Sequence, residues 1–172
     1  MPRESFTLNK HGHVVLSIVG FALKGASELG WLHDGGFRVS DLGAPCLTGG
    51  EYDASHLLVT GQEYEIAIVP CNEIPDDNAR TVQAMHDLGV HEYGYTKSLA
   101  GAIPRIREVV PDEWMKEMGF WSILGLHDPL EGPDGYQRVL CTHYNLYGNW
   151  VSAFRANPSD LLSAGAGVAF FM

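Results

Sequence analysis

The last third of the chain constrains its fold more than any other part. Residues 120–127 (FWSILGLH), 136–143 (YQRVLCTH), 149–155 (NWVSAFR) and 167–172 (GVAFFM) are dense in aromatic and β-branched side chains. Such side chains fit a pleated, half-buried surface, so each segment predicts a strand. The stretches between them, DPLEGPDG, LYG and NPSDLLSAGA, are turn-forming. Parallel neighbours need a crossover of about a dozen residues or more, so connections this short predict an antiparallel meander.

Upstream the texture is mixed. Val14 to Leu23 (VVLSIVGFAL) is apolar and too short for periodicity to decide between strand and helix. Ala22, Ala26, Leu29 and Leu32 follow helical spacing, and Gly35 and Gly36 end that helix. Phe37 and Val39 begin an extended or turn segment, and residues 43–55 (GAPCLTGGEYDAS) read as the least structured internal stretch. In residues 63–69 (EYEIAIV), Tyr64, Ile66 and Ile68 alternate with Glu63 and Glu65, the pattern of a sheet with one wet face, and Pro70 stops it. Asp76 or Asp77 then caps a helix lined by Ala79, Val82, Met85 and Leu88 and closed by Gly89. A further helix is expected over residues 112–118, with Asp112 as N-cap, Trp114 and Met118 inward, and Gly119 as stop. The fold class predicted is α+β: N-terminal α/β elements with two or three short helices packed on a largely antiparallel C-terminal β meander. Residues 1–172 read as a single globular domain, with residues 1–12 as a flexible N-terminal segment.

Charge narrows the partners. The 11 Lys and Arg face 21 Asp and Glu, for a formal charge of −10. Nucleic-acid binding needs basic residues that displace counterions from phosphates, and no basic run exists here. Nucleic acid and anionic membrane are therefore not expected as partners, and the acidic balance as a whole accommodates a basic protein surface or a cationic ligand more easily. Cys46, Cys71 and Cys141 form no CxxC pair, which reads as reduced thiols rather than a zinc or redox motif. The N-terminus, MPRESFTLNKHGH, has no signal-peptide pattern. The apolar run Val14–Leu23 is far short of the roughly 20 residues that span a bilayer. The expected location is cytoplasmic.

The eight histidines are the most unusual feature. His33, His86 and His127 each precede an aspartate, an adjacent pair that metal-dependent phosphohydrolases use as ligands, but no spacing shows the convergence of further ligands on one cation. If residues 120–127 and 136–143 pair as a hairpin, His127 and His143 lie at opposite ends, about 20 Å apart at roughly 3.4 Å per residue. His11 and His13 form an H-x-H pair in a polar segment expected to be exposed. DASH (53–56) lacks the nucleophile turn of a catalytic triad, and no phosphate-binding glycine motif occurs. Asp128, Glu131 and Asp134 read as a hairpin turn rather than a calcium loop. Neither a metal nor another cofactor is expected. Residues 91–107 gather His91, Tyr93, Tyr95, Lys97, Arg105 and Arg107 in an otherwise acidic chain, and Tyr and Arg favour binding hot spots. Such a patch suits a small anionic ligand or an acidic segment of a protein partner.

The order of elements resembles small uncharacterised bacterial proteins. The likeness is carried by GFRVSD (36–41), EYEIAIVP (63–70), IPRIRE (103–108), LHDPLEGPDG (126–135), GNWVSAF (148–154) and GVAFF (167–171). Asp134 with Gly135, and Trp150 after a glycine turn, match the pattern; a second aromatic between Pro158 and Val168 is missing. The resemblance covers most of the chain and implies no activity. The first functional expectation is a non-enzymatic binding or protein-interaction protein, regulatory in kind. A small metal-dependent hydrolase using His and Asp, and a structural or assembly component, are the alternatives.

Overall fold

The run Ala166–Phe170 is buried along its whole length, so it needs apolar cover on both faces and a strand on both edges. The computed structural model, which describes residues 6–172, meets that need with one mixed sheet of ten strands. In chain order the first half contains β1 (Thr7–Leu8), β2 (Val14–Val19), α1 (Gly25–Asp34), β3 (Arg38–Val39), α2 (Gly43–Thr48), α3 (Gly50–Ser55) and β4 (Glu63–Pro70). Then come α4 (Val82–Asp87), β5 (Thr96–Lys97), α5 (Ala102–Val109) and α6 (Asp112–Met118). The chain closes with β6 (Ser122–Gly125), β7 (Leu130–Glu131), β8 (Gln137–Asn145), β9 (Gly148–Arg155) and β10 (Ala166–Phe171). The sheet order is β1-β2-β4-β10-β6-β8-β9-β3, with β5 added to β10 and β7 to β8.

The expected α+β arrangement of helices on a C-terminal meander is therefore corrected. β6, β8 and β9 do pair antiparallel, but β10 leaves β9 and returns to lie between β4, antiparallel, and β6, parallel. The N-terminal strands β2 and β4 belong to the same sheet, and six short helices flank it among the described residues. The physical reason is the burial of β10. At the edge of a meander its backbone would lack one partner and its apolar side chains one cover.

Alternation assigns the two faces. Ile66 and Ile68 of β4 join a core with Leu32, Leu47, Tyr52, Ile103, Ile106 and Met115 of the helices. Ala67 and Val69 of β4, with Val168 and Phe170 of β10, face the other way onto Met85 of α4 and Leu162. The wet face expected for residues 63–69 holds only at Glu63 and Glu65, because residues 66–69 are buried on both sides. Residues 43–55 are not loose: they form α2 and α3, which bury Cys46, Leu47 and Tyr52. The helix expected from Asp76 starts instead at Val82, where the Thr81 hydroxyl accepts from the Ala84 amide at 3.1 Å. Helix α6 has the expected span, and Gly119 closes it at φ 81°, but the Asp112 carboxylate bonds Arg107 rather than its own first turn. No helix among the described residues is long and apolar enough to cross a membrane.

The segment 1–12 lies partly outside the described residues; within them, Thr7–Leu8 pairs with β2. Helix α5 buries Arg105 and Arg107. Arg105 pairs with Glu28 of α1, whose carboxyl is pushed up to about 7 by burial, against the lowering effect of Arg105. The Arg107 guanidinium donates to the Val110 carbonyl (2.5 Å), the Asp112 carboxylate (2.9 Å) and the His143 carbonyl (3.4 Å). Truncating a buried charged group strands its partners, at roughly 3–5 kcal/mol. Arg107→Ala should therefore lower the unfolding free energy in urea by about 3 kcal/mol or more. The same change at exposed Lys10 should stay within about 0.5 kcal/mol.

Candidate functional site

The sheet forks at the end of β6. Up to Gly125 this strand lies between β10 and β8; beyond it, Lys97 of β5 takes the place beside Phe170, and β7 takes the place beside β8. Residues 126–129 cross the opening, which stands at the carboxyl end of the parallel pair β6 and β10. Crevices at such strand ends are where open α/β sheets bind ligands. A cavity of about 460 Å³ sits there, lined by His56, His86, Tyr95, Lys97, Ser98 and Asp128 among others. A smaller one of about 190 Å³ adjoins it, sharing His86 and Lys97 and otherwise mostly apolar.

His127 holds the fork open. Its Nε2 accepts from the Leu140 amide at 2.9 Å, taking the ladder position that β6 vacates, and its Nδ1–H donates to the Asp128 carbonyl at 2.8 Å. Both nitrogens are thus used in the neutral form, and burial pushes the imidazole down to about 3. His56 lies beside it, ring centroids 5.0 Å apart. The Ala100 amide donates to His56 Nδ1 at 3.1 Å, so the neutral ring carries its proton on Nε2. Burial lowers this pKa too. His56 Nε2 has no protein partner among the described residues.

Ser98 is the residue that local structure leaves unresolved. Its side chain is 2% exposed, lines the larger cavity, and its Oγ has no hydrogen-bond partner. The chain approaches closely here: a Cβ on Gly125 would stand 3.1 Å from that oxygen. At the mouth, Lys97 donates to Asp128 at 2.7 Å, and that bond holds the carboxyl below its usual range. Two further N–H bonds of the ammonium remain.

Tyr95 forms a wall, fixed from behind. His13 Nε2 bonds Glu73 at 2.7 Å, its Nδ1 bonds the Tyr95 hydroxyl at 2.8 Å, and Asn9 donates to the same hydroxyl at 2.6 Å. His13 is buried, contrary to the exposure expected of the H-x-H segment, while His11 is exposed against Tyr93.

Of the residues singled out in the sequence, Tyr95 and Lys97 line the cavity. Tyr93 stands behind Tyr95 and donates to Glu73. His91 is exposed, 3.7 Å from Asp87. Arg105 and Arg107 do not reach this surface; both are core residues. His56, Ser98 and Asp128 were not foreseen as one site, because they are 42 and 30 residues apart (98 − 56 and 128 − 98) and meet only once the sheet forks. The available signal was local: HDP directly after a strand marks the strand exit where such crevices form. No group of three His, Cys, Asp or Glu among the described residues is placed to hold a metal ion.

No protein-family model, curated protein or solved structure matches the chain. The resemblance to small bacterial proteins thus rests on the sequence motifs alone.

The buried imidazole sets a pH signature. Folded His127 titrates near 3 and an unfolded histidine near 6.5, so the unfolded chain binds the extra proton between those values, and stability is lost as pH falls below about 6.5. From pH 7 to 5 that is about 2 kcal/mol. Glu28, raised to about 7, acts with the opposite sign over the same range, and the lowered His56 and His143 act with the same sign, so the wild-type curve alone does not isolate His127. His127→Gln should be less stable than wild type at pH 7, and the gap should narrow by about 2 kcal/mol at pH 5 in urea unfolding. An unchanged gap would contradict a neutral His127.

Proposed function

We propose that the chain binds a small ligand bearing an anionic, acceptor-rich group, such as a carboxylate, in the fork at the end of β6. The observation that carries this reading is Ser98, a residue of the cavity wall whose buried hydroxyl, close under Gly125, has no hydrogen-bond partner. An unsatisfied buried polar group costs about 1–3 kcal/mol, and a ligand acceptor that reaches it removes that cost.

The surrounding groups have the same polarity. His56 offers Nε2–H, and Lys97 offers the N–H bonds that Asp128 does not take. Donors thus stand at the mouth, from Lys97, and along the wall, from His56. Asp128 is neutralised by Lys97, which leaves the cavity without an uncompensated negative charge despite the acidic chain. The adjoining apolar cavity gives room for a short hydrocarbon arm behind the anionic group. Binding is favoured over acid–base catalysis by the imidazoles themselves. His127 has no free nitrogen, and the free nitrogen of His56 carries a proton rather than a lone pair.

Isothermal titration calorimetry with acetate, butyrate, malonate, succinate and inorganic phosphate tests the reading. At least one anion should bind with a stoichiometry of one. Ser98→Ala should weaken it about tenfold, the worth of a hydrogen bond to a charged group, and Lys97→Met by at least as much. Absence of binding by the whole panel, or equal affinity in both variants, would overturn it.

A further inference from the structure

A second cavity, of about 360 Å³, lies at the opposite end of the same two strands, where Ser122 starts β6 and Ala166 starts β10. It stands on the sheet face that α4 covers only in part. Its floor is apolar, built from Leu124, Cys141, Phe154 and Ala166. Ser122, His143, Ser152 and Ser163 complete its lining. None of the residues lining it carries a formal charge at neutral pH.

One wall is an indole held in place while still open to ligand. Trp121 Nε1–H donates to Ser163 Oγ at 3.1 Å, yet the side chain is 49% exposed. Gly165 lets the ring lie against the turn, since a Cβ there would stand 3.0 Å from Trp121 Cδ1. The His143 ring meets the indole edge to face at 6.4 Å, and itself lies parallel to Trp150 at 6.1 Å. Burial lowers the His143 pKa, with the Arg107 charge acting in the same direction, so its imidazole is neutral. Burial likewise pushes the Cys141 thiol up to about 12.

We infer that this cavity is a second ligand site, of opposite polarity to the first, for a neutral planar aromatic ring. Charge exclusion argues for neutrality: an ion entering a pocket with no countercharge gives up hydration without compensation. The fixed, half-exposed indole argues for a ring, because stacked or edge-to-face aromatic pairs gain beyond simple area burial. The volume lies within the range of small-molecule sites, and the few polar residues of the lining would orient ring substituents. The inference is independent of the proposal for the first site, since the two share no residue.

The probes are indole and indole-3-carboxylate, the same ring without and with a charge, titrated into the full chain and followed by two-dimensional amide NMR. Indole should bind, with shifts concentrated at residues 121–124, 141–143, 152–154 and 161–166. The carboxylate should bind at least tenfold more weakly at this cavity. Trp121→Ala should weaken indole about tenfold without loss of fold, because this side chain is half exposed, and Lys97→Met should leave indole affinity unchanged. Failure of indole to bind, equal affinity for the carboxylate here, or wild-type affinity in Trp121→Ala would overturn the inference. If the tryptophan variant fails to fold, Leu161→Ala, which removes an exposed apolar side chain from the cavity wall, serves as the second variant with the same expected loss.

Discussion

The pairing of β10 on both edges, with its side chains buried on both faces, is the constraint on which the rest of the structure depends. Close approaches at two glycines make it possible. A Cβ on Gly167 would lie 2.6 Å from Ile68 Cγ2, and a Cβ on Gly89 would overlap the Phe170 ring. Gly89 therefore acts less as a helix stop than as the flat surface on which Phe170 packs. Through β10 the N-terminal strands and the C-terminal ladder share one sheet, across which α5 packs.

The fork follows from the same strand. Because β10 continues for two residues past its pairing with β6, it recruits Thr96 and Lys97 on that edge, and β6 must turn away. The turn strands the Leu140 amide, which His127 satisfies, and brings Ser98 under Gly125. The cavity at the fork is thus a by-product of strand lengths. The opposite ends of β6 and β10 open onto the uncharged cavity, so one pair of parallel strands separates two environments of different polarity. Four arginines, Arg80, Arg105, Arg107 and Arg138, are buried. Their withdrawal into the interior makes Lys97 prominent at the mouth of an acidic protein.

Much of the local structure was legible. The alternation of Tyr64, Ile66 and Ile68 marked β4, Gly119 marked the end of α6, and the aromatic runs after residue 120 marked β6, β8, β9 and β10. The register that sets His143 opposite Ser122 is in line with the separation of His127 and His143 argued from strand spacing. The position of β10 was not legible, because a strand buried on both faces has no alternation to reveal its neighbours. Nor did IPRIRE disclose a core helix: an arginine pattern looks the same on a wet surface and in a core until tertiary packing supplies the partners Glu28 and Asp112. For the site, Lys97 and Tyr95 were visible as chemistry. Ser98 and His56 were not, since their roles come from an unfilled hydrogen bond and a fixed tautomer that only the folded backbone defines.

Native-state amide hydrogen exchange tests the central place of β10 most directly. Amides bonded across both edges of a central strand open only with global unfolding, whereas hairpin tips exchange by local fluctuation. Those of Val168 and Ala169 should be among the slowest in the chain, with an opening free energy equal to that of global unfolding in urea. Exchange of these amides as fast as those of the exposed turn at Leu146 and Tyr147 would contradict the insertion of β10 between β4 and β6, and with it the fork that forms the site.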